Sequence, residues 1–293
     1  MSDKQKNFII RTITSILFVV VLVGCILLDP FAFDILFGII TAMTIWEFTT
    51  IVNNKADLQV NRFITTVAGT YLFYAVMAFN MNACGSEIFI PYLISVMYLM
   101  ISELYFDRKN NIYNWAFAMM AQLYVALPLA LLNTLAYLSE QDTFSIHSVY
   151  TPVLVLAMFI FLWCNDAGAY CVGSLIGKNK LFPRISPGKS WEGSIGGGVI
   201  AILVALLIAY LMPRLGLSSP LQSPLQWVGM AIVVVIFGTW GDLVESLLKR
   251  RLGIKDSGHI LPGHGGMLDR FDSTLMAVPA VVVYIYTINQ FAC

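Results

Sequence analysis

The chain has 293 residues, of which 58% are hydrophobic and 12% are charged, whereas a soluble domain carries about a quarter charged residues, so a soluble fold is effectively excluded. Seventeen Lys and Arg balance seventeen Asp and Glu. Net charge therefore points to no nucleic acid, and only the placement of the charges is informative.

At about 20 apolar residues per bilayer crossing, the apolar runs predict an all-α polytopic membrane protein. Nine transmembrane helices are expected, near residues 8–28, 31–52, 63–80, 88–106, 112–138, 150–172, 193–212, 226–248 and 273–291. The first run is too long for the apolar part of a signal peptide and lacks an A-x-A site, so it is read as a retained span. Asp34, Glu47 and Glu103 weaken the second and fourth runs, because an intramembrane carboxylate is costly unless paired or wetted. Glu47, Glu103 and His147 are read as groups at span ends or in the outer loop, not as site residues.

With the N-terminus in the cytoplasm, the inner segments hold Lys4, Lys6, Arg11, Lys55, Arg62, Arg108, Lys109, Lys178, Lys180, Arg184, Lys189, Lys249, Arg250, Arg251, Lys255 and Arg270, leaving Arg214 alone outside. This excess is what sets membrane orientation, and it places the C-terminus outside. Residues 1–110 carry no recognisable motif. Residues 111–293 hold the expected catalytic region, with two cytoplasmic loops rich in Gly, Pro and charge at 173–193 and 249–272.

The five cysteines are scattered with no CxxC pair, and the three histidines lack an HExxH partner, so zinc is set aside. Asp166, followed by Ala167, Gly168 and Ala169, is an intramembrane carboxylate and hence a candidate functional group. The segment Ser186, Pro187, Gly188, Lys189, Ser190, Trp191, Glu192, Gly193 places hydroxyls and a lysine just before a helix, whose N-terminus can hold phosphate. It is not a Walker A loop, since Gly173 and Gly177 are spaced too closely and Asn179 follows Lys178.

On a helix, Asp242, Glu245, Ser246 and Lys249 share one face. Two carboxylates there suggest a cation or proton site. Asp269 and Asp272 would point together if the ninth helix begins at them, and hard oxygen ligands of this type suit Mg2+. The basic residues around them favour phosphate together with the metal.

The run from Ser246 to Arg250, then Lys255 and Asp256, then Leu261 through Gly263, His264, Gly265 and Gly266 to Asp272 closely resembles the signature of the phosphatidate cytidylyltransferase (CDP-diacylglycerol synthase) family. Asn165 to Tyr170, Ser186 to Gly193 and Gly241 to Ser246 resemble it too. Gly188 stands where the family has a second lysine and Ser190 where it often has threonine. The likeness covers roughly residues 155–293.

The resemblance implies an integral membrane homodimer that converts CTP and phosphatidate to CDP-diacylglycerol and pyrophosphate, facing the cytoplasm of a bacterial inner membrane. It implies Mg2+ on Asp242 and Asp269, with K+ in a paired site. Asp272 and Glu245 would support the metal, and Lys249, Arg250, Lys255 and Arg270 would offset phosphate charge. Asp166, Ser186, Lys189, Glu192, Ser246, His264, Gly265 and Gly266 would lie near CTP or the lipid headgroup. Two alternatives stay open at this point: a CTP-dependent lipid-alcohol kinase and an ion-coupled transporter, whose cation pathway would also need Asp166, Asp242 and Glu245.

Overall fold

The computed structural model describes residues 3–106, 108, 110–141, 146–217, 219–258 and 265–291. A helix covers each of the nine predicted runs: α1 Asp3–Leu28, α2 Pro30–Lys55, α3 Arg62–Asn80, α4 Ile90–Tyr105, α5 Asn111–Met120 continuing into α6 Leu127–Ala136, α7 Val153–Ile176, α8 Trp191–Arg214, α9 Pro224–Arg251 and α10 Leu268–Phe291. Among the described residues, eight helical stretches are long and apolar enough to cross a membrane, and Thr12–Leu28 is a shorter apolar helix. The protein is an all-α polytopic membrane protein.

Local chemistry sets several boundaries. Pro30 opens α2, where its missing N–H costs nothing. The Asn61 side chain accepts from Ile64 N at 3.1 Å and caps α3, and the buried Ser190 hydroxyl accepts from Gly193 N at 3.2 Å and caps α8. Between α5 and α6, a π turn at Ala121–Ala126 directly precedes Leu127 and Pro128. Proline lacks the donor that the ordinary ladder requires, and the wider turn absorbs that disruption.

Two hairpins escape the hydropathy pattern. β1 Tyr137–Gln141 pairs antiparallel with β2 Ile146–Tyr150, and β3 Lys180–Phe182 pairs with β4 Ser186–Ser190. The fifth span accordingly stops at Ala136, and the sixth begins at Val153.

By internal packing the chain forms two units, Met1–Tyr150 with Lys249–Phe271 and Thr151–Leu248 with Asp272–Cys293. In the first, Phe33, Phe37, Phe48, Phe73 and Phe271 are fully buried, and Phe271 meets Phe18 and Phe37 edge to face. Interhelical amides fix its register: Gln122 donates to the Thr65 carbonyl at 2.8 Å, and Asn133 to that of Phe73 at 3.1 Å.

In the second unit α7 and α8 pack backbone to backbone. A Cβ at Gly197 would run into the Asn165 carbonyl and stand 3.0 Å from the Ala169 nitrogen. Gly197→Leu should therefore cost about 1–3 kcal/mol or more by overpacking. Thermal unfolding in detergent checks this, with Gly198→Leu, where a Cβ would meet Val235 alone among the described residues, at 3.4 Å, as the milder comparison.

Candidate active site

The second unit contains a cleft of about 500 Å³, lined by Asn165, Asp166, Lys180, Lys189, Thr239 and Asp242 among others. Three helices, α7, α8 and α9, and the β3–β4 hairpin build it. α7 brings Asn165 and Asp166 to its wall, and α9 brings Thr239 and Asp242. The β3–β4 hairpin, in a register that sets Lys180 against Ser190, carries both Lys180 and Lys189 to the opening.

Lys189 Nζ lies 2.6 Å from Asp242 Oδ2, with both side chains partly accessible at 24% and 29%. Ser246, one turn along α9, donates its hydroxyl to Asp242 Oδ1 at 3.1 Å. The Asp242 carboxylate is thus held from both sides while its lone pairs still outnumber its donors. Asp166 is exposed to the cleft, and Asn165 is buried with an Oδ1 that finds no hydrogen-bond partner among the described residues.

Glu192 bonds to the polypeptide itself. It accepts from the backbone N–H groups of Lys178 at 3.2 Å and Asn179 at 3.1 Å, and from the Asn179 side chain at 2.7 Å. It therefore fixes the turn that leads into the hairpin. Ser186 sits at the other end of β4 from Ser190, paired with Phe182. Glu245 is fully buried, and Asp272 Oδ1 accepts from Ser273 N at 2.6 Å.

The first unit holds a second polar cluster on the signature loop. Lys249 Nζ lies 2.7 Å from Asp269 Oδ1, while Asp269 Oδ2 accepts from Ser257 N at 2.8 Å and Gly266 N at 2.9 Å. Gly265, next to them, has φ +81°, open to glycine and strained for other residues. Arg250, Lys255 and Arg270 are exposed. His264 lies outside the described residues.

Two hard carboxylates and two ammonium groups in one wet cleft can receive phosphate and a divalent cation together. Among the described residues no three His, Cys, Asp or Glu side chains gather as a metal-holding group. Mg2+ needs no such cage, because it takes one or two protein carboxylates and completes its shell with water and substrate phosphate. Asp242 and Asp166 fit that donor set.

Known proteins give the arrangement its context. The sequence pattern of the Cytidylyltransferase family matches residues 9–288. The chain belongs to that family. It is similar to the phosphatidate cytidylyltransferase of Haemophilus influenzae, at 31% identity over 271 residues covering 90% of this chain and 93% of that protein. The protein of that name from Staphylococcus saprophyticus is 33% identical over 199 residues, covering 67% of this chain and 69% of its own. The one from Staphylococcus aureus is 42% identical over 127 residues, covering 43% and 46% respectively. As a member of the cytidylyltransferase family, the chain is a membrane-embedded nucleotidyltransferase, for which a cleft lined by lysines and carboxylates is suitable equipment.

Asn165 as a lining group, Lys180, Thr239 and Glu47 carry no sequence signal that marks them for a site. Lys180 reaches the cleft only through strand pairing, which no local periodicity announces. From its sequence Glu47 reads as a group at a span end, yet it is buried at 6% exposure and accepts from the signature loop.

Proposed function

We propose that this chain transfers the cytidylyl group of CTP to phosphatidate, giving CDP-diacylglycerol and pyrophosphate. The observation that carries this is the Lys189–Asp242 pair, with Asp166 and Lys180 beside it, in one cleft of a membrane-embedded cytidylyltransferase. A phosphatidate oxygen attacks the α-phosphorus of CTP in line, the bond to the β-phosphate oxygen breaks, and pyrophosphate leaves. The attacking group is already an anion, so no protein nucleophile is needed. Catalysis then consists of positioning and charge stabilisation.

Lys180 and Lys189 bind phosphate oxygens, and Lys189 is placed to exchange the Asp242 carboxylate for one of them. Lys249, Arg250, Lys255 and Arg270 add positive charge along the signature loop. The metal ligands we assign are Asp242 and Asp269, each within its own unit, with Asp166 beside Asp242 in the cleft and Glu245 and Asp272 as supporting groups. Mg2+ held there would neutralise charge on the phosphates, and K+ is its proposed companion. We further assign nine crossings, the N-terminus and both Gly-rich loops in the cytoplasm of a bacterial inner membrane, where CTP is supplied, and a homodimeric assembly.

Labelled CTP tests the reaction. With Mg2+, phosphatidate and detergent-solubilised protein, α-phosphorus label should collect in the organic phase and γ label in aqueous pyrophosphate. The reverse partition would identify a kinase, and label left wholly in CTP would favour a transporter.

The topology has its own test. Cysteines replacing the exposed Arg184 and Asp256, in a background without native thiols, should resist an impermeant maleimide in intact cells and react in inverted vesicles. Labelling from outside intact cells would reverse the orientation.

A further inference from the structure

We propose that Glu47, in the N-terminal half, is a positioning residue that clamps the signature loop and thereby sets the Asp269 carboxylate. Its catalytic consequence rests on the cytidylyl-transfer reading above.

Glu47 sits on α2 and is buried. A carboxylate inside an apolar helix is costly unless it is fully partnered. Among the described residues its hydrogen-bond partners all come from a segment more than two hundred residues away in sequence. Oε1 accepts from the Ser257 hydroxyl and from Leu268 N, the latter at 3.2 Å, and Oε2 accepts from Met267 N at 2.8 Å. Met267 and Leu268 stand at the start of α10, where backbone N–H groups lack intrahelical acceptors. Glu47 thus caps α10 from another helix, with the carboxylate sign that a helix N-terminus favours.

The same loop residues hold Asp269. Ser257 gives its hydroxyl to Glu47 and its backbone N–H to Asp269 Oδ2. Gly266 gives its N–H to the same Asp269 oxygen at 2.9 Å, and a Cβ on Gly266 would run into the Glu47 carboxylate. Gly258 is also near, a Cβ there standing 3.1 Å from Glu47 Cδ. Glu47 and Asp269 therefore hold one and the same stretch of the loop, and freeing the first leaves the second held by a loose loop. A simple packing role would be met by an apolar residue and would not require three aligned donors.

Glutamine at this position keeps the shape but turns one oxygen into a donor that faces backbone N–H groups. In Glu47→Gln, the Mg2+ concentration for half-maximal cytidylyl transfer should rise about tenfold, the scale typical of groups that orient metal ligands. Membrane abundance and thermal unfolding should stay close to those of the parent. Independently of any substrate, a maleimide should label Asp256→Cys several times faster when Glu47 is also changed.

Unchanged labelling together with an unchanged Mg2+ requirement would overturn the proposal, as would a lowered unfolding temperature with neither readout moved. Should Glu47→Gln not accumulate in membranes, Ser257→Ala, which leaves α2 intact, carries the test. It should move both readouts in the same direction by a smaller factor, and no movement would overturn the proposal. Faster labelling in a protein that makes no lipid product from CTP would support the clamp and sink the cytidylyl-transfer reading instead.

Discussion

Asp242→Asn should lower cytidylyl transfer by about 1,000-fold, the upper range for removing one preorganised charge-stabilising group, while leaving the protein in the membrane. The amide keeps the volume and can still accept from Ser246, which bonds Oδ1 at 3.1 Å. It removes the charge that faces Lys189 at 2.6 Å and that would hold the cation. Because that pair is partly open to water, its contribution to folding is small, about 0–1 kcal/mol for pairs of this kind. The loss should therefore fall on turnover and not on abundance. Lys189→Gln should act differently, raising KM for CTP more than it lowers kcat, because the lysine's task is to bind phosphate. Near-normal turnover by Asp242→Asn at saturating Mg2+ would remove Asp242 from the chemistry.

The pattern of the chain explains which parts of this site could be read in advance. Long apolar runs interrupted by Lys and Arg report burial in a bilayer directly, so each of the nine helical ranges has its counterpart in α1 to α10. The hairpins do not advertise themselves in this way. Lys180–Phe182 and Ser186–Ser190 are too short for a periodic signal, and β1 and β2 lie between two runs that hydropathy extends toward each other. The π turn at Ala121–Ala126 is equally silent, since it changes hydrogen bonding and not composition.

Residue chemistry was legible where several unusual residues crowd together. Asp166, Lys189 and Asp242 each stand in a polar segment within an apolar sequence, and they line one cleft. Glu192 stands in such a segment too, but its three donors come from Lys178 and Asn179, and its geometry is that of a brace for the turn. Local sequence marked it as polar and close to the site without revealing which way it faces. Glu47 had no company at all. One carboxylate in α2, far from Ser257, Met267 and Leu268 in sequence, acquires its meaning only when the helix and the loop meet.

Asp269→Asn should be as damaging as Asp242→Asn, about 1,000-fold in turnover, for a reason that its hydrogen bonds specify. Oδ1 faces the Lys249 ammonium at 2.7 Å, and Oδ2 accepts from Ser257 N and Gly266 N at 2.8 and 2.9 Å. An asparagine has one acceptor oxygen to offer. Turned toward the backbone pair, it sets its NH2 against the ammonium; turned toward Lys249, it sets that NH2 against two N–H groups. Both rotamers lose charge and at least one bond, so saturating Mg2+ should not restore the rate. Lys249→Gln alone should cost less, about 10- to 100-fold, as a group that acts largely through another. Because the two residues form one unit, the double variant should be hardly worse than Asp269→Asn by itself. Multiplicative losses in the double variant would show that Lys249 and Asp269 act separately, and normal turnover by Asp269→Asn would end its assignment as a metal ligand.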